Sequence, residues 1–220
     1  MILTGPVIVY GAGGHGRVVA DILRVCGAEI EGFIDDCNST SNPNSNPSPS
    51  MKILGDARWL AAEARFRRTT VALGVGDNQC RRVIAEHCIQ AGIRLVSAIH
   101  PAATIASSAK ITAGAVIMAQ AVVNPDTVVG AGAIINTGAV VEHDCTIGNF
   151  AHLSPRAAVG GNVHVSDLAW LGIGANVIPN LRIGTGSIVG AGSTVIHDIE
   201  DWVVAVGTPA RTVKELAHRS

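Results

Sequence analysis

The chain has 220 residues, of which 48% are hydrophobic and 15% charged, so it can bury a substantial core and is not a disordered polymer. Sixteen Lys and Arg stand against 17 Asp and Glu, a formal net charge of −1, and no basic excess is left to collect the phosphates of a nucleic acid. No apolar run approaches the roughly 20 residues that span a bilayer, and no charged N-terminal region leads a long apolar core. The five cysteines (Cys26, Cys37, Cys80, Cys88, Cys145) form no CxxC pair, which suits a reducing compartment. The expectation is a cytoplasmic protein with no membrane and no nucleic-acid partner.

In chain order, Val7–Tyr10 is a short apolar strand that ends in Gly11-Ala12-Gly13-Gly14-His15-Gly16. A helical pattern follows, with Val18, Val19, Ile22, Leu23 and Val25 on its apolar face and Gly27 as its stop. Glu31–Ile34 reads as a second strand closing on Asp35-Asp36. Residues 37–50, CNSTSNPNSNPSPS, are filled by Asn, Ser and Pro and read as a mobile surface loop, either a tolerated insertion or a flap beside Asp35-Asp36. Thr70–Leu73 is a third strand running into Gly74-Val75-Gly76-Asp77-Asn78, and a helix from Asn78 to Gly92 leads to a fourth strand, Arg94–Ser97. Strands alternating with helices imply a small parallel sheet, an α/β domain over residues 1–98.

Gly11, Gly13 and Gly16 have the spacing of a dinucleotide fingerprint, with an acid about 20 residues later. Their physical content is narrower: a glycine turn brings backbone N–H groups and a helix N-terminus up to something anionic. About 97 residues precede the next domain, too few for both halves of a full dinucleotide-binding fold. One phosphate-bearing nucleotide is expected; a nicotinamide-binding module on a structural rod is the competing reading.

From Ile99 onward every sixth residue is Ile, Leu or Val, through Ile105, Ile111 and Ile117 to Val195, with no exception and no insertion. Four residues after each aliphatic runs a second, mostly small series that begins Ala103, Ala109, Ala115, Ala121. This is the signature of a hexapeptide-repeat parallel β-helix, with one strand and one corner per unit and three units per coil. Each aliphatic points into the prism, and the small residue lets the chain turn. Gly114, Gly130, Gly132, Gly148, Gly172 and Gly184 fall near corners, where positive φ is expected of them. A narrow triangular bore also accounts for an aromatic content of only 3%. The second domain therefore covers residues 99–220, its tail ending in a short C-terminal helix that Arg211 would begin.

The densest departure from this small-and-aliphatic pattern is Asn136-Thr137-Gly138-Ala139-Val140-Val141-Glu142-His143-Asp144-Cys145. With Val141 in the core, Glu142 faces outward and His143 lies near a corner. An imidazole beside a carboxylate is suited to general-base work, and either Glu142 or Asp144 could orient it. A second imidazole, His152, follows half a coil later. Cys145 occupies a slot of the small inward series, which argues against a nucleophile. The two histidines lack a set of four zinc ligands, so no metal is expected.

Five segments, GAGGHGRVV near the start, IDD at 34–36, GVGDN at 74–78, INTGAVVEHDC at 135–145 and VGTPAR at 206–211, together resemble the bacterial sugar acyltransferases. That family includes sialic acid O-acetyltransferases and N-acetyltransferases of nucleotide-linked 4-amino-6-deoxysugars. The resemblance covers nearly all of the chain outside residues 37–50 and implies a left-handed β-helix whose prisms form a homotrimer. It implies His143 as general base, Asp144 as the carboxylate beside it and Asn136 as an amide of the same site. His152 would lie near the acetyl-CoA thioester, Ile173 and Ala191 would line the pantetheine groove between neighbouring prisms, and Arg211 would meet the coenzyme phosphates. Gly13, Gly14 and His15 match a diphosphate loop, Asp35 and Asp36 contacts to base or ribose, and Gly76 the facing loop. The function so implied is acetyl-CoA-dependent N-acetylation of a nucleotide-linked 4-amino-4,6-dideoxysugar, with no metal required. The alternatives are O-acetylation of a sugar hydroxyl, as in the sialic acid enzymes, and a catalytically silent trimeric scaffold.

Overall fold

A computed structural model describes residues 5–36, 52–64 and 69–217, and the loop expected at 37–50 lies outside the described residues. The chain divides into two compact units, residues 1–101 and 102–220, so that the first hexad at Ala98–Ile99 falls in the first unit. Among the described residues no helix is long and apolar enough to cross a membrane.

The first unit is built on β1 (Val7–Tyr10), α1 (Gly14–Val25), β2 (Ile30–Ile34), β3 (Ile53–Gly55), α2 (Ala57–Glu63), β4 (Thr70–Leu73), α3 (Asn78–Gln90) and β5 (Arg94–Leu95). The strands are all parallel in the order β3-β2-β1-β4-β5, with β1 central and fully buried, as a strand covered on both faces must be. Strand order reverses on either side of β1, and the crevice at the carboxyl ends of β1 and β4 is where ligands bind in such sheets. Val19, Ala20, Ile22 and Leu23 supply the buried stripe of α1. Neither β3 nor α2 was legible in the sequence, because β3 has three residues and α2 seven. The one local signal was Asp56, whose side chain caps α2 by accepting from the Trp59 N–H at 3.0 Å.

The second unit is a left-handed parallel β-helix. Sixteen two-residue strands run from Thr104–Ile105 to Thr194–Val195, and each ends on one of the repeating aliphatics. Pairing proceeds in steps of 18 residues, for example Ile105–Val123–Val141–Val159–Val177–Val195, so that equivalent side chains stack through successive coils. From Ile117 to Val195 every one of these aliphatics is buried.

At the corners, every sixth residue from Gly114 to Gly192 has positive φ, whether it is Gly, Asp, Asn or even Phe150 and Leu168. Gly114 and Gly132 are among them. Gly130, Gly148, Gly172 and Gly184 are not, and this corrects the expectation for those four. A Cβ on any of them would come within 2.7 Å of a backbone nitrogen in the next coil, so they are glycine because coils stack closely, not because the turn is left-handed.

Among the described residues the expected C-terminal helix is absent. Val203–Gly207 instead joins the third face of the prism, and Ala210–Glu215 folds back on it as an antiparallel strand with Val206 opposite Arg211. The adjacent β-branched Thr212 and Val213 favour a strand, and one edge of the preceding strand was open to pair with it. The Trp202 ring lies over Gly186, where a Cβ would meet it at 2.4 Å, and closes the last coil.

Candidate active site

Two constellations stand out, one in each unit. In the first unit a pocket of about 460 Å³ opens at the carboxyl ends of the strands. It is lined by Gly13, Gly14 and His15 from the turn after β1, Asp35 and Asp36 after β2, and Gly74 to Gly76 after β4, so all six substrate-side residues expected from sequence come together. Gly16 has to be glycine because its Cβ would run into the Gly11 carbonyl, and Gly11, at φ +109°, is pressed against Gly74. Around Gly13 a Cβ would meet nothing within 4 Å. The fold itself does not demand glycine there, and the open space leaves the backbone accessible from the pocket. The α1 N-terminus has no side-chain cap and no acidic residue in its first turn, so its dipole faces the pocket without compensation.

Each aspartate also has a structural task. Asp35 accepts from the Ala12 N–H at 2.9 Å and so holds the glycine turn. Asp36 accepts from the Tyr10 hydroxyl at 2.6 Å with one oxygen and from the Ala57 N–H at 2.8 Å with the other. Burial and the Asp36 carboxylate push the Tyr10 phenol far above its ordinary range, so it stays a donor. His15 is held the other way. Burial, and then the charge of Arg81, lower its imidazole to about 4, leaving it neutral at physiological pH. Its Nε2 is buried and has no hydrogen-bond partner among the described residues.

In the second unit the His143 Nδ1 lies 2.7 Å from Asp144 Oδ2. A carboxylate only accepts, so Nδ1 carries the hydrogen and the neutral ring keeps its lone pair on Nε2. The hydrogen bond and charge of Asp144, with the more distant charge of Glu142, raise the imidazole above its usual value. Glu142 is engaged elsewhere, accepting from Asn124 Nδ2 at 3.0 Å, so of the two carboxylates left open by the sequence Asp144 is the orienting one. The side chains of His143 and Asp144 are 61% and 60% exposed, so the pair is open to solvent. Sequence reading missed what lies beneath the ring. A Cβ on Gly161, one coil further on, would come within 2.7 Å of His143 Cε1 and Nε2, so the imidazole rests on a bare backbone.

Asn136 pairs with His152. The Thr137 N–H donates to Asn136 Oδ1 at 2.8 Å, which fixes the amide orientation, and Nδ2 then donates to His152 Nε2 at 3.1 Å. The His152 ring lies parallel to Trp170, 8° between planes, and the Trp170 indole N–H donates to Ser154 Oγ at 2.8 Å. Neither Trp170 nor Ser154 was singled out from sequence, although an indole in a chain with so few rings was the available signal. Ile173 and Ala191 are both exposed and fall on adjacent coils, where the Gly192 N–H donates to the Ile173 carbonyl at 2.8 Å. The turn of the C-terminal hairpin joins them, since Gly207 N donates to Ser193 Oγ at 3.0 Å and Thr208 Oγ1 to the Gly192 carbonyl at 3.5 Å. Arg211 leaves this turn exposed, one guanidinium nitrogen bonded to its neighbouring carbonyl at Ala210. Together these residues offer an apolar strip ending in a cation. Cys145 is 1% exposed, donates to the Gly160 carbonyl at 3.2 Å, and has its thiol pushed up by burial, which describes an inert thiol. No group of three His, Cys, Asp or Glu among the described residues could hold a metal ion.

Comparison with known proteins agrees with this architecture. Residues 6–88 match the PglD N-terminal domain family. A mutant of perosamine N-acetyltransferase from Caulobacter crescentus, solved with CoA and GDP-perosamine, is 36% identical with a TM-score of 0.89, covering 97% of this chain and 99% of that one. The acetyltransferase domain of PglB from Neisseria gonorrhoeae, solved with acetyl coenzyme A, is 33% identical with a TM-score of 0.84 over 94% of this chain and 98% of that one. The curated UDP-N-acetylbacillosamine N-acetyltransferase of Bacillus subtilis is 39% identical over 115 residues, and that match spans about half of either chain.

Proposed function

This chain belongs to the hexapeptide-repeat sugar N-acetyltransferases, and on that footing we propose that it transfers the acetyl group of acetyl-CoA to the amino group of a nucleotide-linked 4-amino-4,6-dideoxysugar. The observation that carries the chemistry is the His143–Asp144 pair, with Nδ1 committed to the carboxylate and the side chain exposed. Bound acetyl-CoA supplies an acyl group activated as a thioester. His143 Nε2 takes the proton that the sugar amine sheds as its nitrogen bonds to the acyl carbon and the carbon–sulfur bond breaks, and the same ring returns that proton to the departing sulfur. Asp144 stabilises the imidazolium between the two transfers. Asn136 and His152, locked to each other, act as polar groups beside the acyl carbon.

Ile173, Ala191 and Arg211 are assigned to the coenzyme, the first two along its apolar arm and Arg211 at its phosphates. Gly13, Gly14 and His15 are assigned to the diphosphate, Asp35, Asp36 and Gly76 to the nucleoside. The exposure of His143 in the single chain supports a groove completed by a second prism, as in a homotrimer with its sites between subunits. Acetyl-CoA is a cytoplasmic metabolite, which sets the enzyme there.

The test is release of free thiol from acetyl-CoA in the presence of UDP-, GDP- and dTDP-linked 4-amino sugars. Turnover with at least one is expected, and His143→Ala lowers its kcat/KM by about 10²–10⁴. Turnover of a free sugar hydroxyl with none of the three amino sugars would replace the N-acetyl reading with the O-acetyl one.

A further inference from the structure

Arg81 is the largest fully buried side chain described, at 0% exposure, and it lies behind the nucleotide pocket without lining it. One guanidinium nitrogen donates to the Val75 carbonyl at 3.1 Å and the Gly76 carbonyl at 2.8 Å, and another donates to Asn78 Oδ1 at 2.8 Å. The two carbonyls belong to the turn between β4 and α3, Asn78 opens α3, and the charge of Asp77 at the end of that turn also acts on the guanidinium. A buried cation costs several kcal/mol in desolvation, and an apolar side chain would fill the same volume without that cost. These bonds tie the guanidinium to the turn that forms one wall of the neighbouring site.

We propose that Arg81 is a positioning residue for the nucleotide site, its buried guanidinium turning the Val75 and Gly76 carbonyls inward so that the pocket wall facing Gly13 and Gly14 is cleared of lone pairs that would repel a diphosphate. An oxygen bonded to a group with no solvent exposure points into the protein, so the carbonyl dipoles of this turn are directed away from the anion. The guanidinium charge adds positive potential behind the same wall, in a medium where it is weakly screened. His15, which lines the same pocket, has its imidazole lowered chiefly by burial and also by the charge of Arg81. The inference rests on the reading that this pocket takes a nucleoside diphosphate.

The experiment titrates GDP, UDP and dTDP into the full-length protein by calorimetry and then repeats the titration that binds best with Arg81→Lys, Arg81→Met and Asn78→Ala. Arg81→Met is expected to weaken the nucleoside diphosphate by tenfold or more. Arg81→Lys keeps the charge but lacks the planar fork that bridges three acceptors, and loses less; Asn78→Ala removes one acceptor and loses about threefold. Coenzyme A affinity stays within twofold throughout. With saturating nucleotide sugar, kcat stays within twofold of wild type while KM follows the titrations. Unchanged nucleotide affinity in Arg81→Met overturns the proposal, as does a parallel loss of coenzyme A binding, which would mark a general role in folding. If Arg81→Met does not fold, wild-type affinity in both Arg81→Lys and Asn78→Ala overturns it. A wild-type protein that binds none of the three diphosphates brings down the pocket reading, and this inference with it, an outcome distinct from wild-type binding that the variants fail to disturb.

Discussion

The Asp144 carboxylate does two things to His143: it fixes the tautomer, and it raises the proton affinity of the ring. Under the proposed role of His143 as general base, which acts in its neutral form, kcat/KM rises with pH through the imidazole pKa, and the raised value sets that acid limb above the usual imidazole range near 6.5. Asp144→Asn removes the charge but keeps a residue at ease with the positive φ of 58° at this position. Its acid limb is expected to move to lower pH, and its plateau rate to fall because a weaker, less oriented base remains. A limb that stays in place on a pH–rate profile would show that Asp144 does not set the basicity of the catalyst. Gly161 bears on the same ring through space. In Gly161→Ala the new methyl displaces an exposed imidazole that can swing aside, so Tm should barely change while kcat falls by about tenfold or more, as small misplacements of a catalytic group do. In a His143→Ala background the same substitution should cost nothing further. A full additional loss there would mean that Gly161 acts on something other than the imidazole.

Elements differ in how openly the sequence displays them. The prism is written in every hexad, because each unit must supply its own inward aliphatic and no distant contact can stand in for it; Ile117 to Val195 needed no structure to place. The glycine turn after β1 and the His143-Asp144 corner were legible for the same reason, being local patterns that break a strict background. What was not legible depends on partners remote in sequence. The strand at Ile53–Gly55 exists because Phe33 and Ile34 offer it an edge, and the hairpin at Ala210–Glu215 because Val203–Gly207 does. Arg81 was hidden inside a helical pattern that gives no hint of which turn its guanidinium will hold. The corner glycines show the same division, and their two classes should differ in stability. Gly174, at φ +65° with nothing within 4 Å of a Cβ, should lose about 1–2 kcal/mol on substitution by Ala, the strain of a left-handed residue. Gly148→Ala places its methyl 2.4 Å from the Asp167 nitrogen of the next coil, where backbone cannot move without breaking the ladder, and should lose about 3 kcal/mol or more. Equal losses in chemical denaturation would mean that neighbouring coils separate more easily than their parallel ladder suggests.

At the scale of the molecule, the proposed reaction needs two ligands, and the residues assigned to each belong to different units. Gly13, His15, Asp35 and Gly76 lie in residues 1–101, whereas His152, Ile173, Ala191 and Arg211 lie in residues 102–220. The first unit has its own buried cluster in Ile8, Tyr10, Ile34, Leu60, Val71, Cys88 and Ile93, and the second has the stacked interior of the prism. Cores of this kind open separately, so a ligand should protect the unit that binds it and leave the other at its intrinsic exchange rate. A ligand at 100 times its Kd stabilises the bound state by about 2.7 kcal/mol, equivalent to about a hundredfold slowing of amides that exchange through opening of that unit. In hydrogen exchange read by mass spectrometry, the best-binding nucleoside diphosphate is expected to slow exchange in segments containing β1, β4 and the turns that follow them. Coenzyme A is expected to slow the coils around Ile173 and Ala191 and the hairpin to Arg211. Protection of the prism by the nucleoside diphosphate alone would show that the glycine turn is not where the nucleotide is held. Protection of both units by either ligand would show that they open as one body, and the assignment of ligands to units would then rest on the single-residue variants.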